Sequence, residues 1–448
     1  MTKKPIRPPT RSTVRSGAAA PEEEDLLDVR AAAQLLGVKP QTLYAYTSRG
    51  LLHSVPAPVG RARRYRRAEL LRLQRRAAAR AGHTAVAAAA LHWGEPVLDS
   101  FLTKITGGGP CYRGLRAVAL AQREVGFETV AELLWGGVPL PGGSDPLAEL
   151  AGLGVRWPQG VLGLKGLCSA GPGSLIPAAI SPVQRLLCAV PLWAQGDPGR
   201  FIGSRHTEEV ERARARALLR RLPLALTLGC GDASRRRRAE QAERVAAAAA
   251  VALGTGSAEE TAVIEHALVL MADHELNPST FAARVAASVG ADLYACVGAA
   301  LAVFSGPQHG GACDRIEALL SEIGPASRAA AAIYERARRG EGLPAVGHPL
   351  YPDGDPRTPP LLALAAALGS RRPRARAMAA VVRALSDCGL PPPSVELGLV
   401  AVAEALGLPA GSASALFALG RAAGWIAHVL EQRRSGGLVR PRARYVGP

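Results

Sequence analysis

The chain has 448 residues, of which 48% are apolar, 4% aromatic and 20% charged, and its formal net charge is +17. This length allows two or three domains with a large core, and abundant alanine beside few aromatic residues favours closely approaching helices. No run of 18 uncharged apolar residues occurs, so no membrane-spanning helix is predicted.

Seven cysteines are scattered without a Cys-x-x-Cys pair. This spacing argues against a zinc ribbon or a disulfide scaffold and indicates buried thiols in a reducing cytoplasm. The positive charge is concentrated near the start, where residues 1–80 hold 17 Lys and Arg against 6 Asp and Glu. The basic character therefore belongs to the N-terminal part. Residues 1–24 are predicted to be a disordered basic tail; a mitochondrial presequence has a similar composition, but no amphipathic period is visible.

Residues 25–80 predict two short helices around a turn. Asp28 is a candidate N-cap, Gly37 allows a tight turn, Pro40 begins the second helix and Gly50 ends it. This is a helix-turn-helix pattern. It resembles the small MerR-like and excisionase-like winged domains, in which residues 60–73 would form the wing and the following helix.

Such a winged domain would read DNA with polar tips of its second helix and neutralise phosphates with arginines of the wing. The alternative is a helical appendage that packs on the main body and binds no nucleic acid. The candidate DNA-contacting residues are Gln41, Thr42, Tyr44, Arg63, Arg64 and Arg66.

Helical periodicity dominates the remainder, where no convincing alternating strands are visible. Residues 107–113 are compatible with a short strand or turn, 138–182 with loops and short helices, and the four arginines at 235–238 with a solvated helix start. Helices are predicted at 206–227, 238–253, 258–272, 290–304, 312–323, 326–339, 359–369, 374–388, 395–406 and 411–432.

Three histidines lie in loop-like strings within 75 residues. The strings are ADHELNPSTFAARV at 272–285 with His274, SGPQHGGA at 305–312 with His309, and GHPLYPDGDPR at 347–357 with His348. One such histidine is more often structural, but three beside Gly, Pro or Asp indicate a functional site. No pair has the helical i, i+4 spacing of a zinc site, so no metal is predicted.

These strings, with the segment around Glu396, FALGRAAGWIAHVLEQ and VRPRARYVG, resemble bacterial and archaeal citrate synthases. The resemblance covers about 95–137 and 205–448 and is thin between 138 and 204. It implies an all-α body at 90–448, with a large domain at about 90–308 and 412–448. A small domain at about 309–411 would be inserted, with the active site in the cleft between the two.

The resemblance also implies a reaction, in which acetyl-CoA condenses with oxaloacetate to give citrate and CoA without a metal or redox cofactor. His309 would stabilise the enol of acetyl-CoA, His348 would polarise the oxaloacetate ketone and His274 would bind substrate. Two alternatives stay open. One is a 2-methylcitrate synthase that uses propionyl-CoA. The other is a DNA-binding regulator whose body senses a dicarboxylate or an acyl-CoA.

Three arginines complete the implied site. Arg357 and Arg421 would bind the carboxylates of oxaloacetate, and Arg440 would reach in from the partner subunit of a homodimer with shared sites. The family's catalytic base is an aspartate, whereas the matching residue here is Glu396, one methylene longer. Pro349 and Pro352 replace basic residues that lie near the CoA phosphates in relatives.

Overall fold

The computed structural model describes residues 26–36, 38–48, 52–56, 63–67, 69–70, 98–157, 179–201, 207–369, 371–441, 445 and 447. The predicted tail at 1–24 and the predicted helix end at Gly50 lie outside these residues. The chain divides into two compact units: Met1–Asp99 with Pro441–Pro448, and Ser100–Arg440. The division of the body into large and small domains stays a prediction.

The N-terminal unit joins two helices to a small antiparallel sheet of order β1-β3-β2. The Asp28 carboxylate accepts the Ala31 N–H at 2.8 Å, which confirms the predicted N-cap. The core side chains are Ala32, Leu43, Leu52, Tyr65 and Leu70. The elements are β1 (Leu26–Asp28), α1 (Val29–Leu36), α2 (Pro40–Ser48), β2 (Ser54–Pro56) and β3 (Arg63–Arg66).

The second unit is helical through most of its described length, as predicted for the all-α class, and one continuous apolar core runs through it. Its first helices are α3 (Ala117–Gln122), α4 (Phe127–Trp135), α5 (Pro146–Leu153), α6 (Pro182–Ala194), α7 (Glu208–Ala225), α8 (Ala233–Gln241), α9 (Val245–Leu253) and α10 (Ala258–Met271). The remaining helices are α11 (Pro278–Ser288), α12 (Leu293–Phe304), α13 (Ala312–Ile323), α14 (Ala329–Arg338), α15 (Thr358–Ala367), α16 (Pro373–Asp387), α17 (Val395–Leu406) and α18 (Ser412–Ser435).

A small antiparallel sheet stands before these helices, formed by β4 (Thr103–Thr106), β5 (Gly109–Tyr112) and β6 (Leu115–Arg116). Only a strand or turn at 107–113 was expected in this region. The Tyr112 hydroxyl donates to the carbonyl oxygens of Leu270, at 3.0 Å, and Val269, at 3.2 Å. The sheet is thereby tied to the end of α10.

The predicted helices differ from the structure at 238–253, and helices α3, α4, α6 and α11 were not predicted. The helix predicted at 238–253 is two helices, because Ala242 and Arg244 are extended and α9 begins anew at Val245. A carboxylate oxygen of Glu128, buried on α4, accepts the Val245 N–H at 2.7 Å, so this start is fixed by a tertiary contact. Helix α11 was not predicted, although Asn277 caps its first turn by accepting the Thr280 N–H at 3.1 Å.

Helix α18 forms the centre of the body. Its residues from Ser412 to Gln432 are all buried, and it contacts α10, α11, α12 and α17, among others. Among the described helices it alone is long and apolar enough to cross a membrane, and its apolar window is wholly buried in the protein, as in a core helix.

Two glycines one turn apart let α18 approach the end of α10. A Cβ at Gly424 would lie 2.5 Å from the Ala272 carbonyl oxygen, and one at Gly420 would lie 2.8 Å from that of Leu268. The Gly424 N–H instead donates to the Ala272 carbonyl at 2.8 Å. Glycine is therefore required at these positions for close backbone approach.

Gly424→Ala should destabilise the protein by about 1–3 kcal/mol, because the added methyl group overpacks this contact. The matched control is Gly298→Ala in α12, where a Cβ would meet no atom within 4 Å and a gain of about 0.5–1 kcal/mol is expected. Urea unfolding measures both. Equal effects of the two substitutions would show that the α10–α18 contact is not tight.

Candidate active site

The clustered side chains come from the ends of helices and the turns between them. His274 lies between α10 and α11, and His309 between α12 and α13. Arg357 is the residue before α15, and Glu396 is the second residue of α17. Arg421 is the exception, since it projects from the buried middle of α18.

His274, His348 and Tyr351 form an aromatic group. The ring centroids of His274 and His348 are 5.8 Å apart, and His348 lies 5.1 Å from Tyr351. The His274 Nε2 atom lies 2.8 Å from the Tyr351 hydroxyl. The Leu350 N–H donates to His348 Nδ1 at 3.1 Å, so the proton of a neutral His348 is carried on Nε2.

Arg357 is buried against a carboxylate from its own loop. Its Nε and Nη2 atoms donate to the Asp355 carboxylate at 3.0 and 2.7 Å, a bidentate pair. The third nitrogen, Nη1, is buried without a hydrogen-bond partner. A buried guanidinium N–H of this kind is costly, and an anionic ligand would satisfy it.

Arg421 is held by backbone. Its Nε donates to the Met271 carbonyl at 2.9 Å, and its guanidinium carbon lies 5.0 Å from the centre of the Phe417 ring. Burial lowers the pKa of Arg421 to about 10, which leaves the side chain charged at neutral pH. Its charge helps to lower the pKa values of His274 and His309.

His309 packs edge-on against Phe304, with ring centroids 5.0 Å apart. Its Nε2 lies 2.8 Å from the Ser279 hydroxyl oxygen, which also accepts the Trp425 indole N–H at 3.0 Å. The hydroxyl has a second acceptor within reach, since Asn277 Oδ1 is 2.7 Å away. The single Ser279 hydroxyl proton goes either to Asn277 Oδ1 or to His309 Nε2, and this choice sets the tautomer of His309.

Burial keeps the three histidines neutral at pH 7. It lowers the pKa of His309 to about 4 and the pKa of His274 well below its ordinary value, and in both cases the charge of Arg421 adds to the effect. Burial also lowers the pKa of His348, an effect that the charges of Asp355 and Glu396 partly oppose. Neutral imidazoles can donate hydrogen bonds without bringing a further positive charge.

Glu396 is half-buried, and its charge is felt by both His348 and Arg421. One carboxylate oxygen, Oε2, accepts a hydrogen bond from the Ser394 hydroxyl. The structure thus brings six predicted residues into one electrostatic cluster. These are His274, His309, His348, Arg357, Arg421 and Glu396.

The other predicted residues lie elsewhere. Arg440 is exposed at the end of the second unit, in a segment that follows α18. The DNA-contact candidates belong to the N-terminal unit: Gln41, Thr42 and Tyr44 on α2, and Arg63, Arg64 and Arg66 on β3. Within the described residues no group of three or more His, Cys, Asp or Glu is placed to hold a metal ion.

Four residues that contact the cluster were not singled out from the sequence: Ser279, Tyr351, Asp355 and Ser394. Tyr351 and Asp355 lie in the same string as His348, and Ser279 follows His274 by five residues. The contacts of Tyr351 with His274 and of Ser279 with His309 depend on the packing of loops that are distant in sequence. Asp355 and Ser394, in contrast, each contact a residue two positions away.

Comparisons with known proteins find relatives for both parts of the chain. A family model described as citrate synthase, C-terminal domain, matches residues 91–442, and a helix-turn-helix domain model matches 26–78. Citrate synthase 2 of Bacillus subtilis is 36% identical over 193 residues, 42% of this chain and 52% of the relative. The 2-methylcitrate synthase of Shewanella oneidensis is 33% identical over 195 residues, 43% of this chain and 52% of the relative.

The crystal structure of citrate synthase from Thermotoga maritima MSB8 is 25% identical, with a TM-score of 0.62, over 79% of this chain and 94% of that chain. The chain spans about half the length of the curated relatives it matches. The family model, however, covers most of the chain and every residue of the cluster. The chain therefore belongs to the citrate synthase family, with a helix-turn-helix domain in front of the family's body.

Proposed function

We propose that this protein is a citrate synthase, which condenses acetyl-CoA with oxaloacetate and water to give citrate and CoA. The observation that supports this most directly is the cluster itself, in which one carboxylate lies among three neutral histidines and two buried arginines. The reaction needs a base that takes a proton from a weakly acidic methyl group and hydrogen-bond donors for the developing enol oxygen. It also needs arginine side chains held in a fixed geometry that binds the two carboxylates of the substrate.

Oxaloacetate would bind between the two arginines. The unpartnered Nη1 of Arg357 would donate to one carboxylate, and the terminal nitrogens of Arg421, whose Nε is committed to Met271, to the other. The Nε2–H of His348 would point to the ketone oxygen. Burial raises the pKa of Tyr351 to about 12, so its phenol stays protonated and can donate to His274 Nε2. That places the His274 proton on Nδ1, as a further donor.

Acetyl-CoA would react between Glu396 and His309. Glu396 takes a methyl proton, the C–H electron pair forms the enol double bond, and His309 donates to the thioester oxygen. When the single Ser279 hydroxyl proton is directed to His309 Nε2 and not to Asn277 Oδ1, this donor is Nδ1–H. The enol carbon then attacks the ketone carbon, whose oxygen is stabilised by His348. Water cleaves the resulting thioester and releases CoA.

The same chemistry accepts propionyl-CoA, which would give 2-methylcitrate, and one relative carries that name. We further infer a homodimer in which Arg440 enters the partner's site, and a cytoplasmic location. The six cysteines that the structure describes are free thiols, in keeping with a reducing compartment. The large and small domains would close over the substrates and exclude water.

A second candidate function, DNA binding by the N-terminal unit, is supported by its surface. Gln41 and Tyr44 are exposed on α2, and Arg63 and Arg66 are exposed on β3. In this hypothesis the body senses a dicarboxylate or acyl-CoA and steers the domain on DNA. The two functions are compatible, and a protein without turnover that still binds oxaloacetate would favour the sensor.

The purified protein should release free CoA thiol from acetyl-CoA only when oxaloacetate is present, and Glu396→Gln should lower kcat by at least about 100-fold. Calorimetric binding of oxaloacetate should survive this substitution, since Glu396 is the base and not a carboxylate ligand. Glu404→Gln, on the same helix but paired with the surface residue Arg374, should keep the wild-type rate.

Faster turnover of propionyl-CoA than of acetyl-CoA would identify a 2-methylcitrate synthase. Full activity of the Glu396 variant would assign the base elsewhere.

Stability should fall as the pH is lowered from about 6.5 to about 4, because unfolded His309 takes up a proton that the half-buried ring, with its pKa of about 4, does not bind in this range. His309→Gln should make this pH dependence shallower by up to about 1.4 kcal/mol per pH unit within that window. Above pH 7 the slopes should coincide. Urea unfolding at a series of pH values tests this, and parallel curves throughout would mean that His309 is not buried.

The full-length protein should bind duplex DNA in a salt-dependent way. Replacing Arg63 and Arg66 with Ala should weaken binding similarly for all sequences and reduce the slope of log K against log salt by about 1–2. The control replaces Arg237 and Arg238, a pair of exposed arginines on α8. It should change neither the affinity for DNA nor the slope of log K against log salt. Gel shifts at graded salt measure this; no shift at low salt would remove DNA as a partner.

A further inference from the structure

We propose that Ser394 is the positioning residue for Glu396, fixing one carboxylate oxygen so that the other is the one that takes the methyl proton. This inference rests on the proposed citrate synthase function. It assigns the serine a role that its place in the sequence does not suggest, because a serine before a helix ordinarily caps it.

Ser394 occupies the N-cap position of α17 and makes no side-chain cap. Ser181 and Ser257 hold the same position on α6 and α10, and their hydroxyls accept the N–H three residues further on. The Ser394 hydroxyl instead donates to Glu396 Oε2. The side chain is 3% exposed, so little water competes for this bond, and the hydroxyl is committed to the carboxylate.

The backbone around Ser394 is fixed to the loop that carries His348. The Ser394 N–H donates to the Ala345 carbonyl at 2.9 Å, and the Gly347 N–H donates to the Pro392 carbonyl at 2.8 Å. Ala345 has a φ of +57°, which is uncommon for a residue other than glycine. The position of Glu396 is thereby fixed relative to His348, the residue that would polarise the ketone.

A glutamate needs such an anchor more than an aspartate does. Its additional methylene adds a rotatable bond and lengthens its reach, and a displacement of 1 Å can cost about 100-fold in rate. With Oε2 held by the serine, Oε1 receives the methyl proton. The C–H electron pair becomes the enol double bond, while the thioester oxygen takes the hydrogen bond from His309.

The test is the Ser394→Ala variant assayed for CoA release. We expect kcat to fall about 10- to 100-fold with the KM for oxaloacetate unchanged. Ser394→Thr, which keeps a hydroxyl, should restore most of the rate. An unchanged kcat in the alanine variant would overturn the proposal.

Ser257→Ala is the matched control, because it removes a true helix cap outside the cluster. It should lower the melting temperature and leave kcat unchanged. Ser394→Ala should lower kcat and leave the melting temperature unchanged, since its hydroxyl caps nothing. If the alanine variant does not fold, Ser394→Cys, which keeps the volume and weakens the donor, is measured instead with the same two outcomes.

A ¹³C NMR spectrum of glutamate-labelled protein at fixed pH separates this inference from the proposed function. The Glu396 carboxyl resonance is assigned by its loss in Glu396→Gln. A displaced Glu396 carboxyl resonance in Ser394→Ala, which reports the lost hydrogen bond, supports the anchor even if the wild type releases no CoA, an outcome that would reject the citrate synthase alone. An unmoved resonance rejects the anchor whatever the turnover.

Discussion

The close approach of α18 to the end of α10 is the constraint on which the site depends. Gly420 and Gly424 remove the side chains that would otherwise hold the two backbones apart. The carbonyl groups released at the end of α10 then receive donors from α18, one from the Gly424 backbone and one from Arg421. The turn that follows α10 presents His274, so one contact between two helices positions an arginine and a histidine together.

Burial decides the charge states in the cluster. Two guanidinium groups are enclosed, one matched by the bidentate Asp355 and one held against a carbonyl. Burial depresses the histidine pKa values, and the positive field of Arg421 depresses those of His274 and His309 further. The result is a cluster whose charged donors suit a dianion and whose neutral donors suit carbonyl oxygens. Those are the two kinds of group that the proposed substrates, oxaloacetate and a thioester, present.

The all-α class and most body helices could be predicted from the sequence because periodicity is local. The six clustered residues could be predicted because the histidine strings are distinctive and because the segments around Glu396 and Arg421 resemble the citrate synthase family. The break before Val245 could not, since it is capped by Glu128 from more than a hundred residues away. Helix α11 could have been recognised from Asn277-Pro278, a cap followed by a proline at the first position. The role of Ser394 was hidden because the same residue and position normally indicate a cap.

The pairing of residues 345–347 with 392–394 has a consequence for how the family can diversify. It joins the His348 loop to the start of α17, so a change in either segment moves His348 and Glu396, the proposed ketone donor and base, together. Substitutions that adapt the proposed site to a larger acyl group are therefore expected away from these two segments. The aromatic side chains of Phe304, Phe417 and Trp425 beside His309 can be replaced while the distance between His348 and Glu396 is preserved.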